Sequence, residues 1–401
     1  RPAPPADGRL EAELAPEQAG EAVELVRRPS LQMPAPRESL APTTSYPAEE
    51  ALHYGASFNQ DTQIGVTDLH RRGYTGAGVR VAIFDSGFRT DHRATATRHL
   101  VAQRDFVFHD DNVNNEPADL SSAWNHGTAV WSNVGGFDPG ALVGAAPEAE
   151  ILLAKTEDIR SETTAEEDNF VAALEWADSL GADVVSASLL YPRFDGGSGY
   201  TYAQLDGDTG VTTIACDIAV ARGMAVVVAN GNNGPLVGTL GTPADADSTV
   251  SVGAVDSLGV IASFSSRGPT ADGRIKPEVV ARGVRNYVAL AGNNGYGPAS
   301  GTSFATPLTG GAAALLLEAH PDWNGWQVRQ ALMATASHPG APDNSSGYGL
   351  LNVRLAADSA PRTPPKFSLP FALIAPSRGS TVPTALPQLR WERSLPGAAG
   401  D

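Results

Sequence analysis

Val81-Ala82-Ile83-Phe84-Asp85-Ser86-Gly87 is the stretch from which the fold is read. Four apolar residues rich in strand formers run straight into an Asp and a Gly. Such a run fits a strand buried on both faces, leaving a parallel sheet at its carboxyl end. Loops at that end are where open α/β sheets hold their sites, although an Asp after a strand also serves as a plain turn former. Working outward, the chain alternates strands and helices from Ala51 onward. Helices are expected over 61–72, 164–180, 210–222 and 326–333, and strands over 183–188, 224–229 and 249–255. In the second helix Phe170, Ala173, Leu174 and Ala177 share one face, and Gly181 stops it. That rhythm predicts an α/β fold of three layers, α/β/α, around a mostly parallel central sheet.

Two further stretches carry chemistry. Gly301-Thr302-Ser303-Phe304-Ala305-Thr306-Pro307 precedes an apolar run, Leu308 to Leu317, that reads as a buried helix. Ser303 then sits at a helix N-terminus, where peptide dipoles and free N–H groups favour developing negative charge. A serine in that position is also an ordinary N-cap. Asn125-His126-Gly127-Thr128-Ala129-Val130 sets a histidine directly before Gly and Thr, and the other seven histidines have no comparable setting. Hydrolysis by a serine needs a base to take its proton and a carboxylate to hold that base in the right tautomer. The order Asp85, His126, Ser303 is the chain order of subtilisin rather than of chymotrypsin or the α/β-hydrolases.

At these three motifs the chain resembles the subtilisin-like serine proteases, the subtilases or peptidase S8 family. The family pattern reads D-S/T-G, H-G-T-H and G-T-S-x-A-x-P. The first and third match in full; the second has Ala129 where the family usually carries a second, non-catalytic His. A fourth feature follows the apolar strand Met224 to Ala229, where Asn230-Gly231-Asn232-Asn233-Gly234 is similar to the family's A-G-N-x-G loop. Ala262 to Pro269 looks like its S-F-S-S-R-G-P segment, and Gly347 to Asn352 like its closing G-x-G-x-x-N. The resemblance runs from about Ala51 to about Ala357.

The resemblance implies a secreted serine endopeptidase with Ser303 as nucleophile, His126 as general base and Asp85 as its orienting carboxylate. Register makes Asn232 a donor to the oxyanion, beside the Ser303 N–H. It also implies that substrate adds as a strand along Ser188, Leu189 and Leu190. Leu190 stands where the family has Gly, which is expected to narrow the groove. The pocket for the residue before the cleaved bond (P1) is then walled by Ser188, Leu189, Ala229, Asn230 and Gly231. None is charged, which favours an apolar P1 residue. Partners are protein or peptide substrates, with a propeptide in the precursor. No cofactor is required for the chemistry, and structural calcium is compatible with it. Asp206 and Asp208 offer carboxylates suited to calcium or to a solvated turn. The acidic 110–116 stretch reads as a surface loop, and the loop at 135–140 lacks the family's Asn-rich calcium pattern. The rival reading is a subtilase-fold module that has lost catalysis and only binds peptide or protein; the presence of all four side chains argues against it. An α/β-hydrolase reading fails at Ala305, where that motif needs Gly.

Composition narrows the partners further. A net charge of −17 excludes a nucleic-acid surface and docking on anionic membranes, and no apolar run reaches the length of a membrane helix. Cys216 is the single cysteine, so no internal disulfide forms, and its apolar setting reads as core. Prolines mark the boundaries, with seventeen of thirty in 1–50 and 361–401. The expected domains are a Pro-rich linker or propeptide remnant at 1–50, with a helix over 11–28; a peptidase domain at 51–358; and a Pro-rich linker opening a truncated β-sandwich-like module at 359–401. The 1–50 segment also fits a plain disordered lead. The chain starts at Arg1 without a signal-like apolar segment, so it reads as a fragment whose targeting segment is missing. The extracellular location is therefore inferred from the family alone.

Overall fold

The apolar runs singled out above lie side by side. The computed structural model describes residues 52–361 and, as backbone only, 371–375 and 390–393. The chain opens with α1 (Phe58–Gln63), α2 (Val66–Arg71), β1 (Arg80–Asp85), β2 (His99–Asp105) and α3 (Ala123–Gly135). A short pair, β3 (Phe137–Asp138) and β4 (Leu142–Val143), precedes β5 (Glu150–Lys155), α4 (Ala165–Ser179) and β6 (Val184–Ala187). Then come α5 (Val211–Ala221), β7 (Ala225–Ala229), β8 (Val250–Val255), β9 (Val279–Arg282), β10 (Asn286–Leu290) and β11 (Gly295–Ala299). The last helices are α6 (Thr302–Ala319), α7 (Gly325–Thr335) and α8 (Val353–Ala357).

Seven strands form one sheet in the order β2-β5-β1-β6-β7-β8-β9, and all neighbouring pairs are parallel. Side chains alternate across it. Val81, Ile83, Val227 and Val252 enter a core shared with α3, α6 and α7. Ala82, Phe84, Val185 and Val228 enter a second core against α4 and α5. Both faces are covered, which is why these strands read as unbroken apolar runs, and the architecture is three-layered α/β/α. Cys216 is buried in the second core.

Two expectations needed correction. The helix expected over 61–72 is two helices, because Gly65 adopts φ 82° between α1 and α2, a left-handed conformation that glycine enters without strain. The late surface helix, α7, is more embedded than its sequence suggested: Val328, Ala331, Leu332 and Met333 are buried. The expected helix at 11–28 and the character of 1–50 lie outside the described residues. Within 359–401, β12 (Phe371–Ala375) and β13 (Arg390–Arg393) pair antiparallel. Among the described residues no helix is long and apolar enough to cross a membrane.

Candidate active site

Asp85 ends β1 at the carboxyl edge of the sheet and is fully buried. Its neighbour in the loop, Ser86, donates its backbone N–H to Oδ1 at 2.8 Å, and the Ser86 hydroxyl lies 3.2 Å from the same oxygen. Ser86 Oγ donates to the Ala123 carbonyl at 2.7 Å, which ties the start of α3 to this loop. The approach needs glycine. A β-carbon on Gly127 would fall 2.2 Å from Gly87 O, so the residue after the histidine has no room for a side chain.

With α3 held there, His126 Nδ1 lies 2.9 Å from Asp85 Oδ1 and 2.8 Å from Oδ2. A carboxylate accepts only, so Nδ1 carries the proton and Nε2 presents a lone pair in the neutral ring. Desolvation lowers the His126 pKa, but the charge and hydrogen bond of Asp85 outweigh it and hold the imidazole above its ordinary value. Phe304 packs beside the ring at 5.8 Å between centroids. Ala129, at the position of the family's second His, is buried against Val288 and Phe304.

Ser303 is the second residue of α6, so no earlier helical turn supplies a partner for its N–H. Among the described residues its hydroxyl makes no hydrogen bond. Its carbonyl has an unusual partner. Four residues on stands Pro307, inside the helix and without an N–H, so the bond that would close on Ser303 O is missing. Ser188 Oγ donates to that carbonyl at 2.9 Å. The hydroxyl of Ser188, a residue expected in the pocket wall, thus braces the backbone of Ser303. Nothing local in the sequence links residues 188 and 307.

Asn232 follows β7 at the same edge of the sheet. Thr302 N and Thr302 Oγ1 donate to its Oδ1 at 2.9 and 3.0 Å. A backbone N–H can only donate, so these contacts identify the oxygen and leave the amide nitrogen free. The side chain of Asn230 and the backbone of Asn233 are engaged elsewhere. Asn230 is fully buried and donates to Ser266 O at 2.6 Å, and the Asn233 backbone N donates to Ser266 Oγ at 3.0 Å. Of the three, Asn232 alone is tied to the start of α6 through its side chain.

The residues expected to line the groove gather at the same edge. Ser188 and Ala229 are buried, Gly231 is buried at φ 108°, and Leu189 and Leu190 are half-buried. Leu190 folds over two glycines. Its Cδ2 lies 2.8 Å from where a Gly231 β-carbon would stand, and its Cγ 2.9 Å from that of Gly241. The branched chain thus occupies the space between the 188–190 segment and the loop after β7.

The acidic candidates behave differently from one another. Asp206 Oδ1 accepts from Asp208 N and Thr209 N at 3.0 and 2.9 Å, and Oδ2 from Thr209 Oγ1 at 2.9 Å, so this carboxylate closes its own turn. Asp110 and Glu116, read as surface loop, each bring a carboxylate oxygen within 4.8 Å of the other and of Asp105. Asp105 was not singled out in the sequence because it looks like any strand end. Its oxygens are already held: Oδ1 by Val107 N and Phe108 N at 2.7 and 2.8 Å, and Oδ2 by the Lys155 ammonium at 2.8 Å. A donor set neutralised by a buried lysine fits a cation poorly.

Comparison with known proteins follows this geometry. Residues 76–349 match the model of the subtilase family. The chain is 34% identical over 326 residues to subtilisin E of Bacillus subtilis (strain 168), covering 79% of this chain and 76% of that protein. It is 35% identical over 311 residues to subtilisin of Bacillus pumilus, covering 77% and 99%. Among solved structures, the MycP3 protease from the type VII (ESX-3) secretion system aligns with a TM-score of 0.60 at 24% identity, over 76% of this chain and 88% of that one. At that identity the likeness is one of fold.

Proposed function

Because the chain belongs to the subtilase family, and is therefore a serine endopeptidase, we propose that Asp85, His126 and Ser303 are its triad, with Asn232 as oxyanion donor. His126 Nε2 takes the Ser303 hydroxyl proton as Oγ attacks the scissile carbonyl. The resulting oxyanion is met by the Asn232 amide nitrogen and the Ser303 N–H. His126 then returns the proton to the leaving amine, the acyl-enzyme forms, and water releases it by the same steps. Asp85 holds the ring and stabilises the imidazolium. The observation that carries this reading is the pair of His126–Asp85 contacts at 2.8 and 2.9 Å, with Ser303 opening a helix nearby. Substrate lies along 188–190, and Leu190 narrows the P1 pocket toward small apolar side chains.

Subtilases act on protein substrates and need no cofactor for the reaction. Secretion, a propeptide in the precursor and a peptidase domain spanning 51–358 complete the proposal, supported by the resemblance to secreted subtilisins. Ser303→Ala tests its centre. Hydrolysis of a peptide library is expected to vanish while circular dichroism stays unchanged; retention of more than a few per cent of activity removes Ser303 from the assignment.

A further inference from the structure

Glu157 is a carboxylate at the reactive edge of the sheet that the steps above do not use. It stands two residues beyond Lys155, the last residue of β5 and the register partner of Asp85. Thr156 N donates to Asp85 O at 2.9 Å, so the chain leaves β5 beside the Asp85 backbone. From the other side comes Tyr191, the residue directly after the 188–190 segment. Its phenol donates to Glu157 Oε1 at 2.6 Å, and Thr156 Oγ1 donates to the same oxygen at 2.8 Å. Among the described residues no donor pairs with Oε2. Glu157 is half-buried, whereas Tyr191 is almost wholly buried and so holds the carboxylate in place.

The cations nearest Glu157 along the chain, Lys155 and Arg160, are paired with other carboxylates. Lys155 is committed to Asp105 and Asp119 at 2.8 and 2.9 Å. Burial holds the Glu157 carboxyl well above its ordinary range, with the charges of Glu166 and Asp85 adding to the effect and the Tyr191 and Thr156 hydroxyls opposing it. Such a group gains from an arriving cation, which offsets the cost of keeping a charge out of water.

The direction from which a cation arrives follows from the sheet order. A peptide extended along 188–190 sends successive side chains to opposite sides. If the P1 side chain turns toward the loop after β7, at Ala229 and Gly231, the preceding one (P2) turns the other way. In the order β5-β1-β6-β7 that other side is β1 and β5, where Glu157 stands. We propose that Glu157 is a specificity determinant that selects lysine or arginine at P2. The net charge of −17 works in the same direction, since it draws cationic segments toward the surface.

The inference rests on the protease reading and on a groove along 188–190, so its test is a binding measurement that needs no turnover. Calorimetry on the Ser303→Ala protein would compare three peptides of one sequence with arginine, norleucine or glutamate at P2. Arginine is expected to bind at least about tenfold more tightly than norleucine, and glutamate most weakly. Glu157→Gln, whose amide oxygen still accepts from Tyr191, is expected to abolish the arginine advantage. Equal affinities across the three peptides overturn the proposal even if the variant fails to fold. So does an arginine preference that survives Glu157→Gln. Loss of the protease reading itself would appear separately, as no hydrolysis by the parent or as hydrolysis that persists in the Ser303→Ala protein.

Discussion

Replacing Ser188 by Ala tests whether a proline inside α6 is compensated from the segment after β6. The Ser303 carbonyl lies in a residue only 8% exposed, Pro307 offers it no N–H, and Ser188 Oγ meets it at 2.9 Å. Removing the hydroxyl leaves a buried acceptor unpaired, at a cost of about 1–3 kcal/mol. Stability is best read by urea unfolding in a Ser303→Ala background, which prevents self-digestion and keeps the backbone carbonyl in question. Any part of the penalty that displaces Ser303 in the active enzyme lowers kcat, by about tenfold for each 1.4 kcal/mol carried into the transition state. KM should hardly change.

The decisive arm is Pro307→Ala, which restores an N–H four residues after Ser303. In that background Ser188→Ala should cost little, giving a coupling energy of at least about 1 kcal/mol between two residues 119 positions apart in sequence (307 − 188). If Ser188→Ala costs the same with and without Pro307, or less than about 0.5 kcal/mol in the parent, the hydroxyl does not replace the missing helix bond and the reasoning fails.

The other expectations concern the reaction itself. Asn232→Ala should lower kcat by roughly 100-fold or more with KM little changed, as for an oxyanion donor; Asn230→Ala should instead cost stability, since it loses the bond to Ser266 O. A collapse of kcat for Asn230→Ala with Asn232→Ala near parental would shift the donor to Asn230. kcat/KM should rise with pH through one ionisation above the ordinary histidine value near 6.5, because protonated His126 cannot accept the serine proton and Asp85 raises its pKa. A profile flat from about pH 5 to 9 would point to another base. Leu190→Gly should admit larger P1 side chains by clearing the space over Gly231 and Gly241; an unchanged library profile would mean the side chain does not face substrate.

The sheet was legible because a doubly covered parallel strand is apolar throughout, and Val81 to Phe84 and Ala225 to Ala229 are short, rich in β-branched residues and bounded by turn formers. Helix existence was legible for the same reason, while the break at Gly65 was not, since a lone glycine inside a helical pattern is often tolerated. Asp85, His126 and Ser303 were named from their local settings, and the fold brings the first two into contact. What sequence left ambiguous was the choice among three adjacent asparagines. Register named Asn232, and the Thr302 contacts supply a physical distinction that no local pattern contains. Ser188 and Glu157 show the remaining limit. Ser188 was expected in the pocket wall, with no sign of a bond to Ser303, and Glu157 stood out in no motif. Their roles arise from partners in other segments, Pro307 through the Ser303 carbonyl and Tyr191 through its phenol. Motifs reveal chemistry whose parts are close along the chain. Bracing and selectivity depend on what crosses from one strand end to the next, so in this fold they become visible only at the carboxyl edge of the sheet, where β5, β1, β6 and β7 end together.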